Sequence, residues 1–137
     1  MKIVSACLIG VNCAYNGNNK YCEKVVKIIG LEGMVLICPE QLGGLPTPRN
    51  PAEQKGERVF TRQGNDVTKY FEKGAQEILK LAQRYGCKEA ILKSRSPSCG
   101  SNFVYDGTFS HILIKGDGVL ARLLKQNDIK VLTEEEI

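Results

Sequence analysis

Three of the six cysteines follow short apolar segments that are typical of buried strands. Cys7 and Cys38 come directly after such segments, and Cys99 lies in the loop after a third; the segments are residues 2–6, 34–37 and 89–93. In an open parallel sheet, the ligand site lies outside the carboxyl ends of the strands. We therefore expect the three thiols to meet at one edge of a sheet and to act as the ligands of one metal centre.

The other three cysteines do not share this placement. Cys22 falls within the first predicted helix and Cys87 just beyond the second, so both are expected to be small buried hydrophobic residues. Cys13 lies six residues beyond Cys7 and could reach the site as a fourth ligand. The sequence leaves the role of Cys13 open.

The ligand set indicates which metal three thiolates would bind. Structural zinc uses four ligands, usually supplied as close pairs, but no Cys-x-x-Cys pair occurs and the one histidine, His111, is expected to be structural. A four-iron cluster held by three cysteines leaves one iron open, and an open iron is a Lewis acid for a substrate atom. The sequence thus favours a reactive 4Fe-4S cluster, with a non-catalytic zinc- or iron–sulfur-binding module and a redox carrier as alternatives.

Polar residues beside two of the cysteines add acid–base chemistry. Glu40 follows Cys38 across a proline that fixes the backbone, so its carboxylate is expected to act as a general base for water or as a proton shuttle. Ser98 and Ser101 flank Cys99, and their hydroxyls are expected to hydrogen-bond to cluster sulfur or to a bound substrate. We therefore assign candidate catalytic roles to Glu40, Ser98 and Ser101.

The elements that must position these residues alternate between strands and helices. We predict helices from Asn18 or Asn19 to Ile29, from Asp66 or Thr68 to Gly86, and from a cap at Asp117 onward, with a last strand over residues 129–132. Hairpins are predicted for residues 58–61 with 64–67, and for residues 103–109 around an Asp-Gly pair. The alternation predicts an α/β fold with one Rossmann-like domain over residues 1–137, in which a short parallel sheet of about four strands has helices on both faces and a small hairpin.

One segment is unusually long for a connection. Residues 41–56 are rich in Pro and Gly, which excludes a regular helix or a central strand. Because long loops in compact domains are usually functional, we expect residues 41–62 to fold over the strand ends and wall the site. Arg49 and Glu53 are expected to point near the site or to lock this loop to the body of the domain.

Composition and charge narrow the class of protein. The chain has 42% hydrophobic and 25% charged residues, close to globular averages. Its net charge is +4, but the nineteen Lys and Arg residues form no basic run, so no nucleic-acid partner is expected. The amino terminus lacks the pattern of a signal peptide, and no apolar run approaches the roughly 20 residues of a membrane span. We expect a cytoplasmic protein with reduced thiols and no membrane partner, and the sequence carries no signal for an oligomeric state.

Three groups of residues resemble a known family over nearly the whole chain. They are Ser-Ala-Cys-Leu-Ile-Gly at 5–10 with Tyr-Asn-Gly at 15–17, Cys-Pro-Glu at 38–40 with Gly-Gly-Leu at 43–45 and Pro-Arg-Asn-Pro-Ala-Glu at 48–53, and Ser-Pro-Ser-Cys-Gly at 96–100. Together they are similar to the motifs of TudS-type thiouracil desulfidases. The resemblance implies a Rossmann-like fold and an oxygen-sensitive 4Fe-4S cluster on Cys7, Cys38 and Cys99.

The same resemblance implies a reaction. It is the non-redox removal of sulfur from a thiolated pyrimidine, or from a related thioamide, in which water replaces the sulfur and sulfide leaves. By motif, Glu40 would be the acid/base, and Ser98 or Ser101 would contact the substrate or its sulfur. The chain departs from the family at Asn16, where an aspartate is common.

Overall fold

The computed structural model describes residues 1–30 and 32–137. In chain order its elements are β1 (Lys2–Ser5), a short 3-10 helix (Ala6–Ile9), α1 (Glu23–Ile29), β2 (Met34–Ile37), α2 (Pro39–Leu42), β3 (Ala52–Lys55), β4 (Arg58–Thr61), α3 (Thr68–Arg84), β5 (Glu89–Leu92), β6 (Phe103–Tyr105), β7 (Leu113–Lys115), α4 (Val119–Gln126) and β8 (Lys130–Thr133). No helix in this part of the chain is both long enough and apolar enough to span a membrane.

The central sheet is parallel and has the strand order β2-β1-β5-β8. Successive side chains of a strand point to opposite faces, so neighbouring residues of β1 enter different layers. Ile3 packs with residues of α3 and α4 on one face, while Val4 packs with Val25 and Ile29 of α1 on the other. The predicted α/β fold, with a four-stranded parallel sheet and helices on both faces, is confirmed.

The long helix α3 has the start and the apolar stripe that its sequence predicts. The Asp66 carboxylate accepts a hydrogen bond from the Thr68 backbone N–H at 2.9 Å, which satisfies a free donor of the first turn. Its buried residues recur at helical spacing and include Phe71, Ala75, Ile78 and Ala82. The helix ends one residue before Tyr85, and the chain turns at Gly86 with a φ of 64°.

Two hairpins form near the predicted positions, but in each the strands pair differently from the prediction. β4 pairs with β3 rather than with residues 64–67, because Gly56 adopts a φ of 63° and allows a two-residue turn between the strands. Between β4 and the other segment only one isolated bridge forms, from Phe60 to Asp66. β6 pairs with β7, so the Asp-Gly pair lies in a longer loop. That loop is held by the Glu53 carboxylate, which accepts from the N–H groups of Gly107 and Phe109.

Two predicted helix caps, Asn18 or Asn19 for the first helix and Asp117 for the last, are wrong because the side chains in these segments bond elsewhere. The first helix begins at Glu23, because the side chains of Asn16 and Asn19 accept hydrogen bonds from the N–H groups two residues further on and form turns instead. In the last helix the residue before the first turn is Gly118. The Asp117 carboxylate accepts instead from the Asn102 N–H and from Lys125.

Candidate functional site

A cleft of about 1200 Å³ lies at the carboxyl ends of β2, β1 and β5. Cys7, Cys38 and Cys99 all line it, together with Cys13 and Glu40. The expectation that the three cysteines after the strands meet at one edge of the sheet agrees with this placement. The metal-ligand role assigned to them stays a prediction.

Cys38 and Glu40 are positioned by the helix that follows β2. Cys38 is extended, and Pro39 begins α2, where the missing N–H of proline costs no helical hydrogen bond. The backbone of α2 rests directly on α3, because Gly43 and Gly74 have no side chains at the contact. A Cβ at Gly74 would lie 1.9 Å from the Pro39 carbonyl oxygen, and a Cβ at Gly43 would lie 1.9 Å from that of Tyr70.

The Cys38 thiol is surrounded by acceptors. It donates to the Glu40 Oε2 at 3.5 Å and to the Cys13 carbonyl oxygen at 3.7 Å. Its hydrogen bond with the Cys13 side chain, its burial and the nearby Glu40 charge all raise the pKa of Cys38 well above the ordinary thiol value. A metal that bound Cys38 would displace this proton, so its affinity would rise with pH.

Cys13 is a fourth thiol of the cleft. It is buried, with 3% of its surface exposed, and its side chain contacts both Cys7 and Cys38. The hydrogen bond from Cys38 lowers the pKa of Cys13, but the bond from Cys13 to Cys7 and burial outweigh it and raise that pKa to about 11. Cys13 is thus part of the site, which its sequence position had left open.

Cys99 is held by the loop after β5. The Ser96 Oγ accepts hydrogen bonds from the N–H groups of Ser98 and Cys99, at 3.2 and 3.1 Å. The Cys99 sulfur accepts a hydrogen bond from the Ser5 hydroxyl at 3.4 Å. Burial, followed by the Glu40 charge, raises the pKa of the Cys99 thiol above its ordinary value.

Glu40 and Arg49 face each other at the wall of the cleft. The Arg49 Nη2 lies 3.8 Å from the Glu40 Oε2, and both side chains are only about one-tenth exposed, at 10% and 11%. The same nitrogen donates to the Cys13 carbonyl oxygen at 3.0 Å, and the Arg49 backbone N–H donates to the Tyr15 carbonyl oxygen at 2.8 Å. Arg49 therefore ties the long loop to the segment that carries Cys13.

The segment after Cys38 walls the site, as expected, although its second half is the β3–β4 hairpin and not a loop. Its cleft-lining residues are Gly44, Leu45, Pro46, Pro48, Arg49, Asn50, Pro51, Ala52 and Glu53. Gln54 fixes its far end, because the Gln54 Nε2 donates to the carbonyl oxygens of Pro97 and Asp117 at 2.9 and 3.0 Å. The loop is therefore bonded to the segment that carries Cys99.

The predicted serines lie behind the cleft rather than in its lining. Ser98 is fully buried and Ser101 is 6% exposed. Within the residues that the structure describes, neither hydroxyl has a hydrogen-bond partner. Ser96 lines the cleft instead. The signal that would have identified it is the Ser-Pro pair three residues before Cys99, because a serine there can accept hydrogen bonds from N–H groups two or three residues further on.

The remaining sequence candidates lie as follows. Cys87 is buried in the core under α3 and α4, as expected. Cys22 packs against the core on the other face but is only partly buried, and it precedes α1 rather than lying within it. His111 lines the cleft, and its ring packs edge-on against the Tyr105 ring with the two ring centroids 5.8 Å apart. Asn16 is exposed, and its side chain accepts from the Asn18 N–H, a bond that an aspartate would make equally well.

The donor set fits a cluster better than a single ion. All six cysteines are free thiols. Among residues 1–30 and 32–137, no group of three or more His, Cys, Asp and Glu side chains is arranged to hold a single metal ion. A four-iron cluster is larger, takes thiolate ligands and carries sulfide acceptors. Ser98 and Ser101, one and two residues from Cys99 in the sequence, have no hydrogen-bond partner for their hydroxyls among the described residues.

Comparison with known proteins identifies the family of the chain. Residues 3–136 match the 2-thiouracil desulfurase family. The uncharacterized protein YbbK of Bacillus subtilis (strain 168) is 43% identical over 147 residues, which cover 100% of this chain and 97% of YbbK. A solved structure described as the 4Fe-4S-dependent thiouracil desulfidase TudS has a TM-score of 0.94 at 43% identity, covering 99% of this chain and 91% of that chain. The chain therefore belongs to the 2-thiouracil desulfurase family.

Proposed function

We propose that the chain is a non-redox desulfidase that removes sulfur from a thiolated pyrimidine such as thiouracil, with a 4Fe-4S cluster on Cys7, Cys38 and Cys99. The observation that carries the proposal is that these three thiols, from distant parts of the chain, line one cleft beside the Glu40 carboxylate. Family membership and the similarity to a 4Fe-4S-dependent thiouracil desulfidase support it.

Three thiolates leave room for a substrate atom. A 4Fe-4S cluster held by Cys7, Cys38 and Cys99 would have one open iron, which would supply a Lewis acid for the sulfur of a thiocarbonyl. We assign Cys13 to the wall of the cleft and not to the ligand set, because a fourth thiolate would take the position that the substrate sulfur needs.

Glu40 is the proposed acid/base. Its Oε2 accepts a hydrogen bond from the Cys38 thiol. A thiolate has no proton to donate, so a Cys38 that binds metal releases this oxygen to accept a proton from water. Arg49 then remains as the neighbour that orients the carboxylate. Positioned proton transfer contributes typically 10²–10⁴-fold in rate.

The reaction balances without an electron donor or acceptor. Water forms a new C–O bond, the C–S bond breaks, and sulfur leaves as sulfide with the protons of the water. In this scheme Ser96 offers its hydroxyl on the cleft side of Cys99. Ser98 and Ser101 are proposed to contact sulfur from behind it, which would satisfy their free hydroxyls.

The cleft suits a small planar substrate. Leu45, Pro46 and Pro48 give it an apolar wall, and Arg49 and Lys93 add hydrogen-bond donors for ring carbonyl groups. We expect a thiolated nucleobase or a related thioamide, and neither a nucleic acid nor a membrane as partner. Free cysteines beside an oxygen-sensitive cluster suit a reducing compartment, so we propose a cytoplasmic location and a single domain over residues 1–137.

Sulfide release tests the proposal. Protein reconstituted anaerobically with iron and sulfide should release sulfide from 2- or 4-thiouracil, and Glu40→Gln should lower that rate by roughly 10²-fold or more with the iron content unchanged. Cys99→Ala should lose iron and activity together. The matched control is Glu77→Gln, which removes a carboxylate from the exposed side of α3 and should change neither.

Two results would contradict separate parts of the proposal. Cluster-loaded wild-type protein that releases no sulfide from any thiopyrimidine would remove the substrate assignment and leave the metal site. A Glu40→Gln rate equal to that of the wild type would show that another group moves the proton.

A further inference from the structure

Ser5 is a buried polar residue to which the proposed function gives no part. It ends β1, the strand between β2 and β5, and only 2% of its surface is exposed. It is paired in register with Ile37, the residue before Cys38, and it lies two residues before Cys7. Ser5 is therefore at the centre of the sheet edge to which the three cysteines converge.

The hydrogen bonds of Ser5 fix the direction of its hydroxyl. The Lys93 backbone N–H donates to the Ser5 Oγ at 3.0 Å, just beyond the last residue of β5. With one lone pair engaged there, the hydroxyl has a single proton left, and the Oγ lies 3.4 Å from the Cys99 sulfur. The Ser5 side chain thus acts as an acceptor toward the sheet and as a donor toward the site.

The surroundings of Cys99 differ from those of Cys38. Cys38 faces a carboxylate and a carbonyl oxygen, which accept from a thiol and repel a thiolate. Cys99 also lies in the field of the Glu40 charge, but its sulfur accepts a hydrogen bond from the Ser5 hydroxyl, and Ser96 acts on it in the same sense. A hydroxyl donor stabilises a thiolate and withdraws charge from its sulfur.

We propose that Ser5 is a positioning residue for Cys99, whose hydroxyl holds the Cys99 thiolate in place and sets the charge that it donates to the cluster. The inference rests on the proposed function, because it takes Cys99 as a cluster ligand. Hydrogen bonds to ligand sulfurs are among the factors that set the reduction potential of iron–sulfur clusters. Loss of this bond should make the cluster harder to reduce, although the proposed reaction transfers no electrons.

The test measures the midpoint potential of the reconstituted cluster by anaerobic redox titration, together with its iron content and its lifetime in air. Ser5→Ala should retain iron but shift the midpoint to a more negative value and shorten the lifetime of the cluster absorbance. Ser5→Thr keeps the hydroxyl and should restore the wild-type potential. Thr133→Val removes a buried hydroxyl at the end of β8 that does not line the cleft, and should leave the potential unchanged.

Ser5→Ala also leaves the Lys93 N–H without an acceptor, so a second variant guards against loss of the fold. Ser5→Cys keeps the shape with a weaker donor and should give an intermediate potential. A wild-type potential in either iron-loaded variant would overturn the role of Ser5 while the proposed function stands. A wild-type protein that binds no cluster would overturn both.

Discussion

Replacement of Gly74 by alanine tests how the site is held in place. In an ordinary helix interior this change is favourable by about 1 kcal/mol, because alanine loses less conformational freedom than glycine. Here the new Cβ would lie 1.9 Å from the Pro39 carbonyl oxygen, whereas real Cβ contacts are essentially never shorter than 3.0 Å. The backbones of α2 and α3 must therefore move apart by about 1 Å or more.

The size of the effect follows from these opposing contributions. Overpacking costs about 1–3 kcal/mol, and we take the upper end because the atom in contact belongs to the backbone and has no other rotamer. After the gain in helix propensity is subtracted, the free energy of unfolding should fall by about 2 kcal/mol. With an unfolding entropy of about 2.1 cal/mol/K per residue, a chain of this length should lose about 7 °C in Tm.

The same displacement should reach the chemistry. Pro39 lies between Cys38 and Glu40, so movement of α2 carries both residues with it. A misplacement of about 1 Å can cost on the order of 10²-fold in rate, and we expect Gly74→Ala to lose about that much sulfide-release activity.

Thermal unfolding of the metal-free protein, followed by circular dichroism, gives the stability without a contribution from cluster binding. The matched control is Gln76→Ala, on the exposed side of the same helix, which should raise stability by a few tenths of a kcal/mol. If Gly74→Ala raises Tm as an ordinary helical Gly→Ala change does, the two helices are not in backbone contact and the reasoning is refuted.

Three further predictions follow from individual contacts. Cys13→Ser should keep the iron content of the reconstituted protein, whereas Cys7→Ser should lose it; equal losses would make Cys13 a ligand. Arg49→Lys loses the planar guanidinium whose Nη2 contacts both the Cys13 carbonyl oxygen and Glu40 while its Nη1 donates to Thr47, so kcat should fall roughly tenfold, about 1.4 kcal/mol, with little change in KM; an unchanged kcat would separate Arg49 from the acid/base. The hydrogen bonds from Arg58, and then those from Thr68, hold the pKa of the Asp66 carboxyl well below its usual range. Its stabilising contribution is therefore present at neutral pH and is lost as pH falls below about 4, toward the folded-state pKa. Urea unfolding should show a wild-type advantage over Asp66→Asn at pH 7 that shrinks at pH 2 to 3, and an advantage that stays constant would contradict this assignment.

The parts of the molecule that depend on local pattern could be predicted from the sequence. β2 has the bounds that its apolar run predicts, and the placement of Cys7 and Cys38 after strands follows from adjacency alone. The long helix was also predictable, because its stripe and its start depend on residues within a few positions of one another.

The rest depends on contacts between distant residues. In the sequence, Gly74 is only a residue of low helix propensity within a helix. The structure explains it, because the backbone of α2 lies against Gly74 and leaves no room for a side chain. The sequence did not single out Ser96, because a local turn places its hydroxyl beside the Cys99 N–H. It gave Arg49 only a general role, because the hydrogen bond that places Arg49 is to the Cys13 carbonyl oxygen, far along the chain. The predicted partner of β4, residues 64–67, was wrong because the segments on both sides of β4 can pair with it, and the two-residue turn before β4 favours β3.

The order of strands in the sheet has a consequence for how the protein is made. β1 is synthesised first but lies between β2 and β5, so its second neighbour leaves the ribosome only after α3 is complete. A nascent chain that ends before β5 carries Cys7, Cys13 and Cys38 but lacks Cys99. On the proposed ligand set, the cradle is incomplete until most of the chain has been translated. Insertion of the proposed cluster therefore comes late in synthesis or after it.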